Sequence, residues 1–172
     1  FKSNCNLIYA SYFGGNGIDL PIGIACDSYD NLIIAGFTKS DNFPGLNHNV
    51  FQNTRSGGFD AFIAKFDNNL NLQWSTYYGG SSYEQACNIE VDPDDNILIS
   101  GTTLSNNLPV SPSAFQTFNK GRGDAFIAKF DPKGMLDWAS YYGGTGEEGK
   151  STTDDWNGSI SVDSKGNIAF CG

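Results

Sequence analysis

Three carboxylates fall at matching places along the chain. Asp19, Glu84 and Glu148 each follow a Gly-Gly pair, at a spacing of about 65 residues. Carboxylates set at equal intervals around a ring would suit a hard cation, calcium above all, or another ligand at the mouth of a central channel. The same groups would equally accept hydrogen bonds from neighbouring backbone and fix the spacing of structural units. A second acidic cluster holds Glu147, Glu148, Asp154 and Asp155 beside Trp156. An aromatic face among carboxylates suits a sugar or a cation, and equally a solvated loop whose Trp packs on its own unit. The Asp-rich stretches 27–31, 92–96 and 163–167 lack the length and the distal Glu of an EF-hand, and read as tight turns. His48 is the only histidine and has no Ser or Cys nucleophile beside it, so no hydrolase triad is expected within the chain. Arg122-Gly123-Asp124 spells an adhesion tripeptide, but its Asp belongs to a repeated block and its Arg is incidental.

The elements that must position these groups are themselves repeated. Ser11-Tyr12-Phe13-Gly14-Gly15 returns as Thr76-Tyr77-Tyr78-Gly79-Gly80 and as Ser140-Tyr141-Tyr142-Gly143-Gly144. The run Asp60-Ala61-Phe62-Ile63-Ala64-Lys65-Phe66-Asp67 recurs unchanged from Asp124 to Asp131. Asp27 to Gly36 recurs as Asp92 to Gly101 and starts again at Asp163, where an insertion over Gly149 to Asn157 lengthens the linker. Each unit reads as four short strands. The first, Ile22 to Asp27 and Ala86 to Asp92, has a composition suited to burial on both faces. The second runs from Asn31 to Thr38 and from Asn96 to Thr103, the third over the repeated Asp-to-Asp octapeptide, the fourth from Leu72 to Tyr78 and Met135 to Tyr142. In the third strand Phe62, Ala64 and Phe66 face one side, and Ala61, Ile63 and Lys65 the other. Asn6 to Phe13 reads as the outer strand of a preceding unit.

No stretch carries a 3.6-residue period. Four antiparallel strands repeated in register predict an all-β fold, a β-propeller of four-stranded antiparallel blades with about two and a half blades present. The expected division is an outer strand in 1–15, blades in 16–80 and 81–144, and two inner strands with an insertion in 145–172. A blade with two apolar faces needs a neighbour on each side, and a closed ring needs at least about four blades, so the chain reads as a fragment of a larger propeller, cut at both ends. The net charge of −9 and a pI near 4.3 speak against a nucleic-acid surface or an anionic membrane. No apolar run of about 18 residues offers a membrane span. A leader peptide is either removed or was never in this stretch, which begins at Phe1. Cys5, Cys26, Cys87 and Cys171 have no metal-ligand spacing and read as buried free thiols or as including one disulfide.

Trp74 to Gly80, Asp92 to Ser105 and Gly123 to Asp131, in fixed order, resemble the bacterial β-propeller repeat family SBBP. The resemblance implies a secreted or cell-surface bacterial protein, often large, whose repeats close into one propeller, commonly of about seven blades. It implies no single activity. The expected function is a non-enzymatic scaffold or binding platform, with the remaining blades and a protein or glycan as partners and no cofactor; a calcium ion at the carboxylates belongs to the cation-binding alternative. The alternatives are a glycan- or cation-binding propeller, and part of a propeller hydrolase or lyase whose catalytic residues lie elsewhere.

Overall fold

The computed structural model describes residues 6–7, 9–145 and 159–171. Ten strands follow in chain order: β1 (Asp19–Cys26), β2 (Leu32–Thr38), β3 (Asp60–Phe66), β4 (Leu72–Tyr78), β5 (Glu84–Val91), β6 (Ile97–Thr103), β7 (Asp124–Phe130), β8 (Leu136–Tyr142), β9 (Ser159–Val162) and β10 (Ile168–Cys171). They form two four-stranded antiparallel sheets, β1-β2-β3-β4 and β5-β6-β7-β8, and a two-stranded sheet of β9 and β10. The chain is a β-propeller segment with two whole blades and the inner strand pair of a third.

The hairpins share one turn chemistry. An aspartate ends the incoming strand, and its side chain accepts the backbone N–H groups two and four residues on. Asp27 holds Tyr29 and Asn31 at 2.9 Å each, and Asp67, Asp92, Asp131 and Asp163 hold their own turns in the same way. The third residue after each of these aspartates is left-handed: Asp30, Leu70, Asp95, Gly134 and Gly166. The first strand of each blade carries a bulge, between Pro21 and Gly23 in β1 and between Ala86 and Asn88 in β5. The bulge thrusts a carbonyl at the second strand, and only glycine tolerates it. A Cβ on Gly101 would lie 1.9 Å from the Gln85 oxygen, and one on Gly36 would lie 2.1 Å from that of Leu20.

Side chains alternate across each sheet, so both faces are apolar. In β3, Phe62 and Ala64 pack with Phe43 and Phe13 on one face, while Ala61 and Ile63 face the next blade. There they join Ile33, Trp74 and Tyr78 against Ile97, Ile99, Phe126 and Phe130 of the second blade, which is the main core. The far face of the second blade, with Leu98 and Ile127, meets Ile160, Val162 and Phe170 of the third unit.

Two expectations need correction. The first strand is not buried on both faces in the first blade: Ile22 and Ile24 are 52% and 66% exposed. Burial there depends on the blade in front, because Ile89 of β5, which has one, is 8% exposed against Gly23. Residues 6–7 and 9–13 form no strand, since a fourth strand needs a third to pair with and the described residues offer them none. Phe13 nonetheless sits 5.0 Å from the rings of Phe43 and Phe66, on the face and beside the strand-3 ring matching those of Tyr78 at the next junction.

The bulge contact gives a direct test. Gly101→Ala is expected to lower unfolding free energy by about 1–3 kcal/mol through forced displacement of β5, measured by urea denaturation. Phe115→Ala, at an exposed ring, is expected to stay within about 0.5 kcal/mol.

Candidate functional site at the blade junctions

Each blade hands the chain to the next through a Gly-Gly crossing, and the recurrent carboxylates close on that crossing. After β4, the Gly80 N–H donates to Glu84 Oε2 at 2.8 Å, the Ser81 N–H to Asn107 Oδ1 at 2.9 Å and the Ser82 N–H to Ser105 Oγ at 2.8 Å. Thr103 Oγ1 donates to the other Glu84 oxygen at 2.6 Å. The first copy repeats the clasp with Asp19 in place of the glutamate. Gly15, Asn16 and Gly17 donate to Asp19, Asn42 and Ser40, and the Thr38 and Ser40 hydroxyls donate to Asp19. The holding residues form a Thr-x-Ser-x-Asn run just past the second strand, Thr38 to Asn42 and Thr103 to Asn107. Sequence reasoning missed it, although the run is present in both copies.

A second buried carboxylate approaches from the blade being left. Asp60 opens β3 and accepts the Ser56 N–H at 2.8 Å, the Gly57 N–H at 3.1 Å and Gln52 Nε2 at 3.0 Å. The Gln52 amide oxygen in turn takes the Gly79 N–H at 3.1 Å. Gln116 joins Asp124 and Gly143 in the same arrangement in the second blade. The glycines are required by approach: a Cβ on Gly79 would lie 2.5 Å from Asp60 Cγ, and one on Gly80 would lie 2.6 Å from Ser105 Cβ. Glu84 thus holds Gly80 directly and Asp60 holds Gly79 through Gln52, with both carboxylates fully buried.

Their electrostatics follow from that burial. Desolvation raises the Glu84 carboxyl above its ordinary range against the pull of Ser105, Thr103 and Gly80, and the Asp60 charge adds to the rise. Desolvation also raises Asp60, opposed by Ser56, Gly57, Arg55 and Gln52. The turn aspartates behave oppositely. At Asp27 burial pushes upward but is outweighed by Lys65, Asn31 and Tyr29, which bring the carboxyl down to about 2. Asp92 is lowered by the same balance, with Lys129 in the role of Lys65. The Lys65–Asp27 and Lys129–Asp92 pairs, each at 2.8 Å, tie the third strand to the first hairpin of the same blade.

Of the candidate residues, Asp19 and Glu84 therefore lie at equivalent places in successive clasps, with their oxygens turned onto the fold's own donors. Glu148, Asp154, Asp155 and Trp156 lie outside the described residues, as does Glu147. Among the described residues no three His, Cys, Asp or Glu side chains come together as a metal site. Asp124 of the Arg-Gly-Asp tripeptide is fully buried, so it is not presented to a partner. His48 Nδ1 sits 3.3 Å from Asn53 Nδ2. Cys26, Cys87 and Cys171 are free thiols in strands. Cys26 and Cys171 are exposed rather than buried, and burial raises the Cys87 thiol to about 11. A cavity of about 400 Å³ opens at the junction of the two blades, walled by Asn31, Asn49, Lys65, Asp67, Gln73 and Trp74.

Residues 73–109 match the family model of the β-propeller repeat SBBP, a stretch that runs from the fourth strand of one blade through the crossing and clasp into the next. The chain is also similar to an uncharacterized WD repeat-containing protein, L264, of Acanthamoeba polyphaga mimivirus. The two are 23% identical over 186 residues, which cover 94% of this chain and 13% of that protein. The chain thus spans a small part of the length of the curated relative it matches.

The opposed carboxylates predict a pH optimum. Asp60 and Glu84 are raised in the folded state, so their contribution is present in full below the unfolded value of about 4 and is lost as pH rises through the folded value. Asp27 and Asp92 are lowered, so theirs is present above about 4 and lost as pH falls toward the folded value. Calorimetric melting is expected to peak at mildly acidic pH and to decline both toward neutrality and toward strong acid. Glu84→Gln is expected to flatten the neutral limb, and an unchanged limb in that variant would refute the assignment.

Proposed function

We propose that this chain, a β-propeller segment built from SBBP repeats, is a non-enzymatic module serving as scaffold or binding platform in a larger bacterial protein, secreted or held at the cell surface. The observation that carries the reading is where the recurrent acids spend their oxygens. Asp19, Asp60 and Glu84 accept from backbone N–H groups and from Thr, Ser and Gln side chains of their own blades and crossings. A group that repeats once per blade and is satisfied by the frame serves the frame. The oxygens a calcium ion would need at Asp19 and Glu84 are engaged by those donors. A propeller hosts many unrelated functions, so the rigid frame suits a platform without specifying its cargo. The surplus of acidic residues suits a soluble, self-repelling module. On this reading its partners are the remaining blades of the same propeller and a protein or glycan held on the platform.

The glycan form is favoured by one observation, the cavity at the blade junction. Asn31, Asn49 and Gln73 line it with amides, Asp67 and Lys65 add charge, and Trp74 supplies an aromatic wall. Such a mixture of amide groups and an aromatic surface matches the hydroxyls and the apolar face of a sugar ring.

Antibody raised to the chain is expected to label intact cells of the source organism, and labelling that appears only after permeabilisation would reject the extracellular placement. Titration with neutral oligosaccharides is expected to shift the Gln73 and Asn49 side-chain amide resonances if the platform carries glycan, with Gln73→Ala abolishing the shifts.

A further inference from the structure

The cavity at the junction of the two blades is bounded on one side by the β7–β8 turn, which brings Pro132 and Lys133 to the first blade. That turn is fixed from several directions. Phe126 and Phe130 of β7 pack on Tyr78 at 5.4 and 5.6 Å. The Gly134 carbonyl accepts the Phe51 N–H at 3.2 Å, and Gly134 lies on the Trp74 ring, where a Cβ would come within 2.9 Å. Lys133 is exposed, but its backbone N–H is held by Asp131 at 2.9 Å, so its side chain starts from a set place at the rim.

The charges along the cavity are not equally available. Asp67 accepts the Asn69 and Asn71 N–H groups on one oxygen and the Asn71 and Gln73 amides on the other, at 2.8 to 3.3 Å, all of them donors of its own hairpin. Asp131, at the start of the neighbouring turn, likewise faces the N–H groups of Lys133 and Met135. Lys65 is engaged by Asp27 and by the Pro132 carbonyl. The Lys133 ammonium has no hydrogen bond or ion pair among the described residues, and the Asn49 side-chain amide has none either. Two lysines and one aspartate line this cavity, in a chain with 19 acidic residues to 10 Lys and Arg. The cavity is therefore a place where an acidic molecule offers an unspent positive charge.

The second blade shows which lining residues the frame demands. Its matching cavity, of about 470 Å³, has Ser111, Ser113 and Trp138 where the first has Asn47, Asn49 and Trp74. On β8 the place of Gln73 is taken by Asp137, and the Asp131 turn closes in the same way without that amide. The Trp belongs to the repeat. The amides at 47, 49 and 73, and the absence of an acid at 73, belong to this junction alone.

We propose that this cavity takes an acidic glycan, a uronate-bearing oligosaccharide whose carboxylate is held by Lys133 while its hydroxyls pair with Asn49 and Gln73. An ammonium meets a carboxylate through charge-assisted hydrogen bonds, and side-chain amides, donors and acceptors at once, suit neighbouring hydroxyls. A neutral sugar would use the amides and leave Lys133 idle. The inference rests on the glycan reading of the cavity and names the sugar class.

The test is calorimetric titration of the 172-residue chain with tri-galacturonate and, separately, with the neutral trisaccharide galactotriose. The acidic trimer is expected to bind roughly fivefold tighter or more. Lys133→Gln is expected to bring it down to the level of the neutral trimer, and Lys133→Arg to preserve the difference. Gln73→Asp, which installs the residue the second blade already carries, is expected to weaken the acidic trimer more than the neutral one. Positions 73 and 133 are outside the packed core, and matching melting temperatures would show that the variants fold. Equal affinity for the two trimers, or a preference that survives Lys133→Gln, would overturn the proposal and leave the glycan reading standing. Binding of neither trimer would remove both. Binding of an oligoglutamate peptide through Lys133 as tight as that of tri-galacturonate would also overturn it, because the occupant would then be an acidic peptide.

Discussion

Both four-stranded sheets are apolar on both faces, and that constraint governs the rest. In β3 and β7 the buried alternation runs unbroken, with Phe62 and Ile63 on opposite faces and both essentially without exposure. A four-stranded sheet of strands of seven or eight residues has too little interior of its own, so its stability resides in the contacts it makes with the blades before and after. Each fully buried Phe at a junction is worth roughly 1.5–3 kcal/mol of transfer free energy. The Phe126–Tyr78–Phe130 cluster therefore stabilises the stack more than any turn or cap within a blade. Stability in such a stack is a sum over neighbours, and an uncovered face is felt locally. The exposure gradient from β5 back to β1, two strands of like pattern, is that effect in one molecule.

Packing two apolar faces together leaves the connecting backbone to cross between blades with three consecutive N–H groups at 80–82 that make no strand ladder, the first of them, on Gly80, buried. The clasp answers this with Glu84, Asn107 and Ser105. A carboxylate is a strong acceptor there, and its desolvation is offset in part by the Thr103 hydroxyl and the Gly80 N–H. Aspartate appears in two opposite electrostatic roles within one repeat. Where it caps a hairpin beside Lys65 it is held strongly acidic, and where it sits under the Gly-Gly crossing it is held weakly acidic. Residue type alone does not separate these; the number of donors against the depth of burial does.

The repeat, the four-strand unit and the two faces of β3 were legible because each depends on residues close in sequence or copied in register. The clasp was not. Ser, Thr and Asn at 40, 38 and 42 are unremarkable for a loop, and they acquire meaning only when the crossing 25 residues earlier is folded onto them. The alternation placed Lys65 on one face with Ala61 and Ile63 and gave it no partner, yet its ammonium reaches Asp27 across the sheet and the Pro132 carbonyl of the next blade. The exposure of β1 and the lack of a ladder over residues 6–7 and 9–13 depend on strands that are not neighbours in the chain. A pattern of apolar residues states which faces want cover and says nothing of whether cover is present.

Equivalence between copies also separates frame from function. Where two copies make the same contacts, as at Glu84 and Asp19 or at Gln52 and Gln116, the side chain is explained by the repeat itself. Departures carry the information. In the first blade the Gly57 N–H closes on Asp60 Oδ1, while in the second the matching Gly121 N–H turns to Asn119 and leaves the buried Asp124 Oδ1 without a protein partner. The loops ahead of the third strand differ as well, Asn47-His48-Asn49 against Ser111-Pro112-Ser113, and each borders one of the two cavities. The frame can keep its clasps and turns unchanged while these loops vary, because none of the clasp atoms comes from them. Binding chemistry can therefore diverge from blade to blade on a constant scaffold, provided the aromatic wall behind each loop stays covered by the next hairpin.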